Sequence, residues 1–242
     1  MHVFSTADEA LEALEAAAFI LAHRHRSRFE RLEVDEGLTG AEYRPGGVVA
    51  LGYDVWEIIQ SGVAFEDPGD WIEAGRIICH EIFHGVSPRG AGAVEEAAVE
   101  TLGRGHAIDL LELAGVRAPG GGWPAVDGAY RPQVRWLERL ADWLDLPPIE
   151  LARTIKHGRR CDDEDWRQAE RLQWRALARC ICAHRGLRPG SRRQNLFARV
   201  IGESAGAVCI GAYTAPRSPV RALSRALADD AMTPDASGSR RR

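Results

Sequence analysis

The stretch Cys79-His80-Glu81-Ile82-Phe83-His84-Gly85 decides how this chain is read. On a helix, residues four apart lie on one face, one turn above each other, so His80 and His84 can offer imidazole nitrogens to one ion. Zinc takes such ligands at about 2.0–2.1 Å, and a catalytic zinc keeps three protein ligands with a fourth position left to water. Glu81 is rotated away from His80 around the helix, so its carboxylate can reach that water without occupying the metal and serve as general base. Ile77, Ile78, Ile82, Phe83 and Val86 supply a buried face, and a helix is predicted over 71–86 with Asp70 as its N-cap. Two histidines on a buried helix can equally be satisfied by neighbours. The reading therefore turns on a third ligand.

Ser87-Pro88-Arg89-Gly90 breaks the helix, and a second one is expected over 91–113, bearing Val94-Glu95-Glu96-Ala97-Ala98-Val99-Glu100. Glu96 and Glu100 are four apart and share a face, whereas Glu95 and Glu96 do not. Three glutamates on a helix are ordinarily a solvated face, but Val94, Ala97, Ala98 and Leu102 need burial, which draws the carboxylates to a boundary. Given the histidine pair, Glu96 is favoured as ligand over Glu95 and Glu100. A helical neighbour would then accept the spare N–H of a ligand histidine and fix its tautomer.

Upstream, Thr6-Ala7-Asp8-Glu9 is a capping-box pattern opening an amphipathic helix over 6–28. The His23-Arg24-His25-Arg26 run suits the negative pole of that helix better than a metal site. Segments 29–34, 41–44 and 48–53 are β-prone, with Pro45-Gly46-Gly47 as a hairpin turn. The periodicity of 54–60 leaves strand and helical turn open.

These residues resemble the gluzincin branch of zinc metallopeptidases, the thermolysin-like enzymes and the smaller minigluzincins. Their pattern is a His-Glu-x-x-His helix, a turn, and a helix bearing Asn-Glu with an acidic residue four further on. Here Glu95 replaces the Asn. The resemblance implies an α+β zincin-like core (N-terminal helix, small antiparallel sheet, active-site helix, glutamate helix) over residues 6–113. It implies Zn2+ held by His80, His84 and Glu96, Glu81 as general base, and Glu100 as a second carboxylate behind the ligands. Ala41-Glu42-Tyr43-Arg44 and the strand after it look like the family's hairpin, whose edge pairs with an extended peptide substrate. The His84-to-Glu96 interval is short for the larger members. Family members also supply a Tyr or His to the oxyanion, and Tyr130, His106, His157 and His184 all stay open for that part. A metzincin would need Gly and His three and six residues after His84, where Ser87 and Gly90 stand.

The 242 residues carry a net charge of −4, 45% hydrophobic and 27% charged residues, enough for a full core and no general attraction to nucleic acid or anionic membrane. No basic region followed by a long apolar stretch opens the chain, and five cysteines, an odd and sparse set, read as reduced thiols, so a cytoplasmic location is expected. The expected organisation is a core over 1–116, a Gly/Pro-rich connector over 117–131, and a helical region over 132–213 packed on the core or capping it. That region comprises predicted helices at 131–144, 148–157, 163–185 and 191–209. A disordered tail is expected over 214–242. Trp136, Leu140 and Trp143 share a face and read as core. Cys180 and Cys182 lie two apart, hence on different sides of a helix, and with Cys161 read as core rather than as a second metal site. The basic stretch 185–193 reads as a solvated loop. The expected function is zinc-dependent peptide hydrolysis. The alternative is a regulatory interaction protein that keeps the fold without turnover.

Overall fold

The structure is a computed structural model and describes residues 4–87, 92–126, 128–156, 166–187, 192–209 and 219–231. Helix α1, Ala7–His25, opens on the expected cap: the Glu9 N–H donates to Thr6 Oγ1 at 3.2 Å, and the Glu9 carboxylate accepts from Ser5 N–H at 2.8 Å. Leu14, Ala17, Ala18 and Leu21 form its buried face. Three strands follow, β1 at Arg31–Asp35, β2 at Ala41–Arg44 and β3 at Val48–Gly52, in the order β1-β3-β2.

The sheet corrects the expectation of an antiparallel one, because it is mixed. β2 and β3 pair antiparallel across the Pro45–Gly47 turn, while β1 runs parallel to β3. The last strand is therefore the central one. Every residue of β3 is buried, as suits a strand covered on both faces and both edges.

Segment 54–60 lies in helix α2, Tyr53–Phe65. The helix that carries the histidine pair, α3, is Pro68–His84, three residues earlier at its start than expected. Asp67, not Asp70, is its N-cap, accepting from Gly69 N–H at 2.7 Å, and Pro68 occupies the first turn, where a missing N–H costs nothing. Asp70 instead accepts the Ser61 hydroxyl at 2.5 Å, tying α3 to α2.

Helix α4, Ala93–Leu113, is the hub: α1, α3 and the four helices that follow it pack on it, so residues around most of its circumference are buried. Its approach to α3 is close. A Cβ on Gly103 would lie 3.1 Å from the His80 nitrogen and 3.2 Å from the Arg76 oxygen. Beyond the connector come α5 (Arg131–Trp143), α6 (Pro148–Lys156), α7 (Trp166–His184) and α8 (Arg192–Cys209). Helices α5 and α6 lie along α4, and α7 and α8 pack on one another and on α4. Trp136 is core, its indole N–H donating to Ser204 Oγ at 2.7 Å between α5 and α8. Trp143 is partly exposed, with the Arg185 guanidinium 4.2 Å above its ring.

The expected disordered tail is corrected within 219–231, which form α9, Pro219–Ala231, with Leu223 fully buried and contacts to α8 and α5. Cys180 and Cys182 are free thiols, Cys182 buried, and Cys161 lies outside the described residues. Among the described residues no helix is long and apolar enough to cross a membrane.

Candidate metal centre

His80 and His84 stand one turn apart at the end of α3, where the apolar side chains Ile78, Ile82 and Phe83 anchor that helix in the core. Their Nε2 atoms lie 3.2 Å apart. Glu96, in the first turn of α4, brings Oε2 to 3.4 Å from His80 Nε2 and 3.8 Å from His84 Nε2. Among the described residues this trio is the group whose donor atoms could hold a metal ion, all within 4.8 Å of one another. Ligands bound at about 2.0 Å in a tetrahedron stand about 3.3 Å apart, which is close to the separations seen here. Glu96 Oε2 is buried and accepts no hydrogen bond, a costly state for a carboxylate oxygen that a cation would relieve. Two imidazole nitrogens and one carboxylate oxygen are a donor set that suits zinc.

Both imidazoles are aimed from behind. His80 Nδ1 sits 3.0 Å from Glu100 Oε2, and His84 Nδ1 sits 3.1 Å from Glu95 Oε1. A carboxylate there accepts a hydrogen bond from Nδ1–H and so leaves Nε2 facing the cluster. The sequence left Glu95, Glu96 and Glu100 open as third ligand; the structure places Glu96 on the Nε2 side and the other two on the Nδ1 side. Glu95 and Glu100 are completely buried rather than at a boundary.

Each buried carboxylate is matched by cations. Arg76 Nη1 and Arg104 Nε both donate to Glu100 at 2.8 Å. Burial raises the Glu100 carboxyl, but the His80 hydrogen bond, Arg76 and Arg104 hold it below its ordinary value. Glu95 accepts from the Lys156 ammonium of α6 and the Gln173 amide of α7. Burial raises its carboxyl too, yet Lys156 and His84 outweigh it and hold it at about 2. At His80, burial disfavours the charged ring, but Glu100 and Glu96 raise it to about 9, so the potential at this imidazole strongly favours positive charge.

Glu81 is mostly buried beside the cluster, its Oε1 3.9 Å from His80 Nε2. Burial raises its carboxyl above the ordinary value against the pull of His80 and His84, and the backbone N–H of Tyr43 on β2 bonds it. That bond fits the ladder. Gly52 N–H donates to Gly40 O at 2.6 Å, so even-numbered residues of β2 bond β3, and Ala41 and Tyr43 turn their backbone groups outward to the α3 side.

The connector passes over the same place. Ala129 O accepts from Arg104 Nη2 at 2.8 Å, and Gly128 lies so near Glu100 that a Cβ would stand 2.2 Å from Oε1. Tyr130, in the left-handed region at φ 57°, stacks its ring on His80 at 5.1 Å and 11°. Its hydroxyl reaches Glu96, and burial followed by Glu96, Glu81 and Glu100 push it up to about 12.

Of the other residues open for the oxyanion, His106 is turned away, bonded to Asp109 at 2.8 Å and packed on His25 and Phe83. His184 is exposed on α7, and His157 lies outside the described residues. Sequence reasoning missed Arg76, Arg104, Lys156 and Gln173. Arg76 had a signal, standing four residues before His80 on the same face of α3. No protein-family model, curated protein or solved structure significantly matches this chain.

Proposed function

We propose that the chain is a zinc-dependent metallopeptidase of the gluzincin kind, with His80, His84 and Glu96 as ligands and Glu81 as general base. The observation that carries this reading is the convergence of two Nε2 atoms and an orphaned carboxylate oxygen, with a buried carboxylate fixed behind each imidazole. When bound, zinc supplies Lewis acidity toward water and a scissile carbonyl. Glu81 takes the proton of the attacking water and passes it to the leaving amine. Its raised carboxyl makes it a better base than a solvated glutamate. The Tyr43 N–H holds that carboxylate toward the cluster. The outward backbone groups of Ala41 and Tyr43 suit strand addition by an extended peptide, which would lay its carbonyl beside Glu81. Tyr130 has the hydroxyl best placed to meet negative charge on that carbonyl.

Purified protein should contain one zinc and cleave an unstructured protein. Glu81→Gln should keep the zinc and lose cleavage by at least about 10²-fold. A wild-type protein that takes up no zinc overturns the reading. Zinc retained without cleavage of any unstructured substrate would move the assignment to a non-catalytic, regulatory zincin-fold protein.

A further inference from the structure

The two ligand histidines are supported by different parts of the chain. Behind His80, Glu100 is neutralised by Arg76 of α3 and Arg104 of α4, the helices that carry the cluster itself. Behind His84, Glu95 is held by Lys156 and Gln173, which come from α6 and α7 and stand 61 and 78 residues further along the chain. All three of these side chains are completely buried. Glu95 can stay ionised there only with a cation against it, since an unpaired buried carboxylate is costly. Ionised, it accepts a hydrogen bond from Nδ1–H of His84 and aims Nε2 at Glu96 and His80. Among the described residues, the helical C-terminal region thus reaches the carboxylate behind His84 through the Lys156 ammonium and the Gln173 amide.

We propose that Lys156, with Gln173, is a positioning residue for the metal centre, so that docking of α6 and α7 and binding of the ion are one coupled equilibrium. This rests on the zinc reading above and goes beyond it. The core with its histidine pair is incomplete as a metal site until α6 and α7 are seated, and the ion in turn holds them down. The coupling is reciprocal, as linkage requires.

The test uses the full-length chain. The double variant Glu95→Gln/Lys156→Met removes both charges together, leaves an amide oxygen for His84 Nδ1, and avoids stranding a buried ion. Zinc affinity is read by chelator competition, and the ligand field by the visible spectrum of the cobalt(II)-substituted protein. The double variant should lose roughly 10- to 100-fold in zinc affinity and show an altered cobalt spectrum, the size expected when a ligand histidine loses its partner. In the wild type, zinc should slow amide exchange in α6 and α7, far from the ligands in sequence. A Lys156 that merely fills space would leave exchange in α6 and α7 indifferent to zinc. A folded double variant with wild-type affinity and spectrum overturns the proposal. If that variant does not fold, wild-type exchange in α6 and α7 that is indifferent to zinc overturns it instead. A wild type that binds no zinc sinks the metal reading itself, a distinguishable result.

Discussion

At the scale of the residue, His80 makes the site's electrical demand measurable. Its folded value of about 9 lies above the ordinary 6.5, burial being outweighed by Glu100 and Glu96. A raised value means the imidazolium is favoured by folding. Its contribution to stability is complete below about pH 6.5 and is lost as pH rises through about 9. Without metal, the protein should therefore melt at a lower temperature at pH 9 than at pH 6.5. Zinc competes with that proton, so its affinity should rise over the same interval. Melts in the presence of a chelator, beside zinc titrations at the two pH values, check both signs. The pairing of His80 with His84 was legible because helical spacing puts both on one face, whereas Glu96 was only favoured over Glu95 and Glu100, because spacing does not say which face of a second helix meets the first. The partners of Glu95 were not, because no local pattern announces a contact 61 residues away. Lys156, a basic residue at the end of α6, carries no sequence mark of its complete burial.

At the scale of the element, the site depends on how closely two helices approach. Gly103 faces the backbone of His80 and Arg76 at distances that leave no room for a branched side chain. Gly103→Leu should push α4 off α3, cost about 1–3 kcal/mol by overpacking, and weaken zinc binding because Glu96 moves with α4. Urea unfolding and zinc affinity should fall together; a destabilised variant with wild-type affinity would show the separation does not matter. Most helices were legible to within a few residues because apolar periods are local, but α2 was left open and α9 was missed. The sheet was less so. The alternation of β1 and the apolar run of β3 locate strands but carry no mark of direction or of which strand lies in the middle. Strand β3 shows its central place only in being buried throughout.

At the scale of the whole molecule, the helices beyond the connector are built into the core through α4. Leu137, Leu140, Leu151 and Ile155 are all fully buried in one continuous cluster with α3 and α4. Helix α9 extends it, although a stretch rich in Ala, Ser and Arg was read as a tail; the period of Leu223, Ala226 and Leu227 was the overlooked signal. Leu223→Ala should lower stability by about 2–5 kcal/mol, measured by urea unfolding, where a solvated tail would give no change. Zinc content at saturation should be retained, since α9 packs on α5 and α8 rather than on α3.

The buried contact between Glu95 and Lys156 also sets an order of events for a chain made from its N-terminus. His80, His84 and Glu96 leave the ribosome well before Lys156, and Gln173 follows later still. A chain that has reached only Glu96 carries the histidine pair without the ammonium and amide that hold Glu95. The arrangement behind His84 is thereby complete only once α6 and α7 have been made and packed.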